Sequence, residues 1–206
     1  MVKKRIGLAG AVLAAVVVLV AVVVPTGSAG AATAVTLQRG TTSVTASPAV
    51  TSTLLRNGIL PLPVGGASET PVLLPGGLGV KGSFPVTGGT VDADTLAGSV
   101  THSGGLIFVN LGKFKTVTVS DFTIVIDSAP HLVATKVNGK AASLRVFDLD
   151  LSAAKVSKTA KGVSVSGIGV TFTADAASAL NSTLGTSVFS AGLVAGTAET
   201  RLVPAA

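Results

Sequence analysis

KTVTVSDFTIVID, residues Lys115–Asp127, holds the reading that decides the fold. Apolar and polar residues alternate through it, the mark of a strand with one face buried. Val117 and Val119 occupy odd positions, whereas Phe122, Ile124 and Ile126 occupy even ones. Side chains alternate strictly along a strand, so one buried face serves both groups only if an extra residue enters at Ser120-Asp121. GVSVSGIGVTFTA, Gly162–Ala174, repeats the shift: Val163 and Val165 are out of phase with Ile168, Val170 and Phe172. An extra residue is expected there at Ser166-Gly167. Two bulged or bent strands predict an all-β chain, an antiparallel β-sandwich or barrel-like domain.

The neighbouring runs agree. LAGSVTH, GGLIFVN, HLVATKVNG, SLRVFDLDLS and TAETRLV are further strands, rich in Val and Thr and punctuated by Gly and Pro. One helix signal stands out near the C-terminus, DAASALNSTLG: Asp175 as N-cap, Ala176 to Leu184 as helix, Gly185 as terminator. Upstream, TTSVTASPAVTST (Thr41–Thr53) reads as a strand edge or a polar spacer. LPLPVGGASETPVLLPGGLG (Leu60–Gly79) carries four prolines and five glycines, so it cannot be a central strand. Residues 33–81 are therefore expected as a Ser/Thr-rich, then Pro/Gly-rich arm, and 82–206 as the compact β domain.

Residues 1–32 read as a signal peptide. Lys3, Lys4 and Arg5 precede an apolar run from Ile6 to Val24; Pro25 and the small residues of TGSAGAATA follow. Cleavage fits after Ala29-Gly30-Ala31 or after Ala32-Thr33-Ala34. An uncleaved anchor is the alternative, since Ile6–Val24 approaches the roughly 20 apolar residues that span a bilayer. The mature protein is expected outside the cell, secreted or wall-associated, touching membrane only through this segment before cleavage. Without Cys, it has neither disulfide nor thiolate chemistry. Removing the three leading cations leaves 12 basic against 9 acidic residues, a net of +3. These charges are scattered, and Trp and Tyr are absent, which argues against nucleic-acid binding.

GTVDADTLAGSVTHSGGLIF, VSDFTIVID, APHLVATKVNG, FDLDLSAAKV and VSGIGVTFTADAASALNSTLGTSVFSAG together resemble the HtaA-like domain family of secreted and wall-associated actinobacterial proteins. The resemblance runs from about Gly82 to about Pro204 and rests on folding signals such as the THSGGL turn and ALNSTLG…FSAG. It implies a mostly-β domain with a short helix, and haem binding for iron acquisition. In the family a Tyr phenolate backed by a His holds the iron; this chain has no Tyr. His102, in THSGGL, occupies the place of the family's Gly-His turn and is the candidate haem ligand, through a neutral imidazole; the alternative is a strand-end residue whose ring hydrogen-bonds a neighbouring backbone group. His131, after Pro130, is expected at the surface or in a turn.

Other constellations point to no chemistry. Asp148 and Asp150 share one strand face opposite Phe147, Leu149 and Leu151, as on a solvated edge. Asp92 and Asp94 are spaced like the start of a calcium loop but lack its Gly and distal Glu. Ser103 has no nucleophile elbow around it. Phe108, Phe114, Phe122, Phe147, Phe172 and Phe189 are expected in the core. No catalytic residue and no metal site are expected. The reading is an exported, non-enzymatic binding domain partnered by haem or a cell-envelope component. The alternative is a structural or adhesive envelope protein that has lost haem ligation.

Overall fold

A computed structural model describes residues 33–160 and 162–205. The expected signal peptide over 1–32 lies outside the described residues. In chain order the elements are β1 (Ala34–Ala46), α1 (Pro48–Arg56), β2 (Ile59–Val64), β3 (Ser68–Leu74), β4 (Gly77–Asp92), β5 (Gly98–His102) and β6 (Gly105–Asn110). There follow β7 (Lys115–Ile126), β8 (His131–Val137), β9 (Lys140–Asp150), β10 (Lys155–Thr159), β11 (Gly162–Phe172), α2 (Ala174–Leu184) and β12 (Val194–Pro204). Strands β7, β5, β4, β1, β12, β11, β9 and β8 pair antiparallel in that order, and β8 returns to β7, closing an eight-stranded barrel. β6 and β2 extend outward from β7, while β3 pairs with β4 and β10 with β11.

Both phase shifts are present, but only β11 inserts an extra residue; β7 keeps its register with β8 from Ser120–Lys136 to Phe122–Ala134. In β7, Val117, Val119, Phe122 and Ile124 are all buried, and the face is switched at Asp121, whose φ is +54°. In β11, Val165, Ile168, Val170 and Phe172 are buried, and the register against β12 slips by one residue between Val165 and Ile168. Gly167, at φ +77°, makes that bulge. Most of the buried apolar side chains of the barrel pack into one core, which includes the T-shaped pair Phe84–Phe122 and the contacts Phe147–Phe172 and Phe172–Phe189.

Residues 33–81, expected as an arm, are part of the sheet: β1 lies between β4 and β12. The prolines fall as their missing N–H groups demand, Pro61 and Pro63 on outer strand β2 and Pro71 on outer strand β3. Thr41–Thr53 divides between the end of β1 and the start of α1. Ser47 caps that helix by accepting the Val50 N–H, and Pro48 stands in its first turn. The expected C-terminal helix forms as α2 and ends at left-handed Gly185, but its cap is Thr173, which accepts the Ala176 N–H; Asp175 lies in the first turn. Phe114, expected in the core, instead stands 92% exposed in the β6–β7 turn.

Candidate functional site

His102 is the last residue of β5, and its alternation with Val100 turns the ring inward, leaving it 4% exposed. Nδ1 lies 3.2 Å from the Phe122 carbonyl oxygen, and Nε2 lies 2.7 Å from the Thr42 hydroxyl. A carbonyl only accepts, so Nδ1 carries the proton and Nε2 accepts from Thr42. Thr42 then accepts from Thr200, 3.0 Å away, completing a buried chain of polar groups across four strands, β7, β5, β1 and β12. Burial pushes the imidazolium down to a pKa of about 4, against a smaller opposing effect of the Phe122 carbonyl. The ring is neutral at pH 7, with its one lone pair aimed at Thr42.

Beside this network runs a narrow apolar cavity of about 100 Å³, walled by Phe84, Phe108, Phe122, Phe147, Phe172 and Leu132 among others. Val50 and Leu54 of α1 also line it, and Glu69 of β3 is its only ionisable lining residue. Partial burial raises the Glu69 carboxyl above its usual range. Val44, Phe84, Phe122 and Leu132 also wall a void of about 10 Å³ that Thr42 and His102 close. Pockets for drug-sized ligands occupy roughly 300–1,000 Å³. The closed barrel therefore holds no haem-sized space beside His102, and iron reaches Nε2 only by displacing Thr42 and parting the cavity walls.

The remaining candidates take ordinary structural places. His131 opens β8 and donates from Nδ1 to the Ala129 carbonyl at 2.8 Å. Asp148 pairs with Arg145 at 2.7 Å, and Asp150 accepts the Ser152 N–H; both carboxylates are exposed, opposite buried Leu149. Asp92 accepts the N–H groups of Asp94 and Thr95 and the Thr95 hydroxyl, so this segment is a turn closed by its own carboxylate. Those bonds lower the Asp92 pKa. Among the described residues no three His, Asp or Glu side chains converge as a metal site. Thr42, Thr200 and Glu69 are the site residues that sequence reasoning passed over. A parity signal exists for the threonines: Thr42 shares its phase with Val44, and Thr200 shares its phase with Ala198 and Leu202.

No family profile matches the chain, and no curated protein does either. Among solved structures, the C-terminal domain of HtaA from Corynebacterium glutamicum superposes with a TM-score of 0.56, over 83% of this chain and 99% of that domain, at 15% identity. The chain has the HtaA fold. HtaB, a heme binding protein of the same organism, aligns over 84% of this chain and 96% of its own at 12% identity. Its TM-score is 0.49. What the HtaA likeness establishes is the barrel with its C-terminal helix.

Proposed function

We propose that this HtaA-type barrel is an exported, non-enzymatic binding domain, and that haem is the ligand class it takes, weakly, through His102. The observation that carries this reading is the set tautomer of a neutral histidine. The Phe122 carbonyl holds the proton on Nδ1, which leaves Nε2 as the lone-pair nitrogen, the arrangement typical of metal-ligating imidazoles. The sequence resemblance and the HtaA fold support the same class.

Weakness follows from the neighbours. Reaching iron breaks the Thr42 bond and leaves one buried O–H without its acceptor at about 1–3 kcal/mol, roughly five- to 150-fold in affinity. A specific observation favours the second reading, a structural or adhesive envelope protein that has lost ligation: Thr42 occupies Nε2 and the cavity holds only about 100 Å³. A haem titration followed by absorbance separates the two. The expected result is a Soret shift without a phenolate charge-transfer band, lost in His102→Ala and retained in His131→Ala. Tight binding that survives His102→Ala overturns the ligand assignment. Absence of any shift in the wild type leaves the structural reading.

A further inference from the structure

Phe114 is the most exposed large apolar side chain, at 92%, and its φ of +53° places it in the left-handed region, where a bulky residue is an outlier. The turn that holds it is firmly built. Buried Asn110 accepts the Gly112 and Lys113 N–H groups and donates to the Leu184 carbonyl. The Lys113 ammonium donates to the Gly185 carbonyl at the end of α2. So much tertiary support behind an exposed, strained aromatic points to a use outside the fold.

Its neighbours extend the pattern. Leu111, exposed in the same turn, donates its N–H to the Gly58 carbonyl, which follows α1. At the other end of α1, Pro48 lies beside Gly77 of the β3–β4 hairpin. Between helix and hairpin runs an open groove lined by Pro48, Leu55, Arg56, Pro75 and Leu78. Leu55, Leu73, Leu78, Leu111 and Phe114 are thus five of the eight exposed large hydrophobics among the described residues, clustered on three adjoining segments. Clustering of this kind marks an interaction surface.

Charge then selects the partner. Segments 47–58, 72–80 and 110–115 contain Arg56, Lys113 and Lys115 and no acidic residue. Leu73 and Phe114, the two most exposed, lie at the end of the β3–β4 hairpin and in the β6–β7 turn. Exposed apolar side chains with Lys113 and Lys115 flanking Phe114 and Arg56 on the adjoining helix suit a bilayer interface bearing negative headgroups. We propose that the face formed by α1, the β3–β4 hairpin and the β6–β7 turn docks onto an anionic membrane surface.

Residues 32–206 form one compact unit, so the chain lacking 1–31 is the material to test. Cosedimentation with vesicles of phosphatidylglycerol and phosphatidylcholine in equal parts is compared with pure phosphatidylcholine. Binding is expected to the first and not the second, and to fall with added salt. Lys115→Gln should weaken it roughly fivefold. Phe114→Gly is the decisive variant. It relieves the left-handed strain and so raises Tm, while losing the inserted ring weakens vesicle binding roughly tenfold. Equal binding to both vesicle types, binding to neither, or binding indifferent to Phe114→Gly overturns the proposal.

Discussion

Strands β7 and β11 solve one geometric problem with different materials. Each must bury two sets of apolar side chains of opposite parity, and each does so at a residue with positive φ; β11 slips its register against β12 there, while β7 keeps register with β8. β11 uses Gly167, where an added Cβ would stand 2.9 Å from the Ala153 carbonyl oxygen. β7 uses Asp121 and surrounds it with bonds: its N–H donates to Gly104 at 2.8 Å, its carbonyl accepts the Thr135 hydroxyl at 2.7 Å, and its carboxylate pairs with Lys136 at 2.7 Å. One switch rests on the absence of a side chain, the other on the presence of several. The switch in β7 also adjoins the buried His102, because the next carbonyl, Phe122, holds its ring.

The largest effects should come from the aromatic residues that each switch turns inward. Phe172 touches two rings, Phe147 at 4.7 Å and Phe189 at 5.3 Å between centroids, whereas Phe122 has a 5.3 Å contact with Phe84. Both are buried. Phe→Ala in a core costs about 3–5 kcal/mol, and an aromatic pair adds about 0.5–1.5 kcal/mol. Phe172→Ala is expected at the upper end and Phe122→Ala at the lower, read from urea midpoints against Ser120→Ala. If either shift is smaller than that control, the inward face is wrongly assigned.

Acid should distinguish the two strands next. A neutral His102 is favoured on folding, so its contribution is complete above its ordinary pKa of 6.5 and is lost as pH falls toward about 4. The full loss is roughly 3 kcal/mol. Glu69 works in the opposite sense, since burial disfavours its charged form and its protonation at falling pH relieves that penalty. Urea unfolding at pH 7 and pH 4 should show the net loss, and His102→Gln should flatten it. Amide exchange should show Phe122 opening before Phe172. An undiminished acid effect in His102→Gln would place the titrating group elsewhere.

How much of this was legible depended on the kind of signal. A switch of face leaves a mark in one strand, because parity is local; Ser120-Asp121 and Ser166-Gly167 were readable for that reason. The pairing of β1 between β4 and β12 leaves no such mark, since partners up to 158 positions apart, as Thr42 and Thr200 are, meet only in three dimensions. The same distance hid the site. His102 was visible as a residue, but what fixes its chemistry is a threonine 60 positions earlier and a backbone carbonyl 20 later. Helix α1 was legible in principle, through Ser47-Pro48, yet its threonines gave the stretch the look of a strand. Phe114 went astray for a different reason: hydrophobicity alone does not distinguish a core aromatic from one displayed on a turn.

The smallest effects test the switches themselves. Gly167→Ala forces a Cβ against the Ala153 carbonyl and holds alanine at φ +77°. Left-handed strain alone is about 1–3 kcal/mol, so this variant should lose at least that much. Asp121→Gly runs the other way. Glycine removes the left-handed cost, which is already modest for Asp, and gives up an ion pair whose partners are well exposed, worth about 0–1 kcal/mol. The two terms nearly cancel, and the backbone bonds to Gly104 and Thr135 persist because they do not involve the side chain. Unfolding midpoints at low and high salt should therefore show a change within about 1 kcal/mol, and a weaker salt dependence than the wild type. If Asp121→Gly proved as damaging as Gly167→Ala, the carboxylate would be essential to the β7 switch, and the two strands would differ in their materials far more than in geometry.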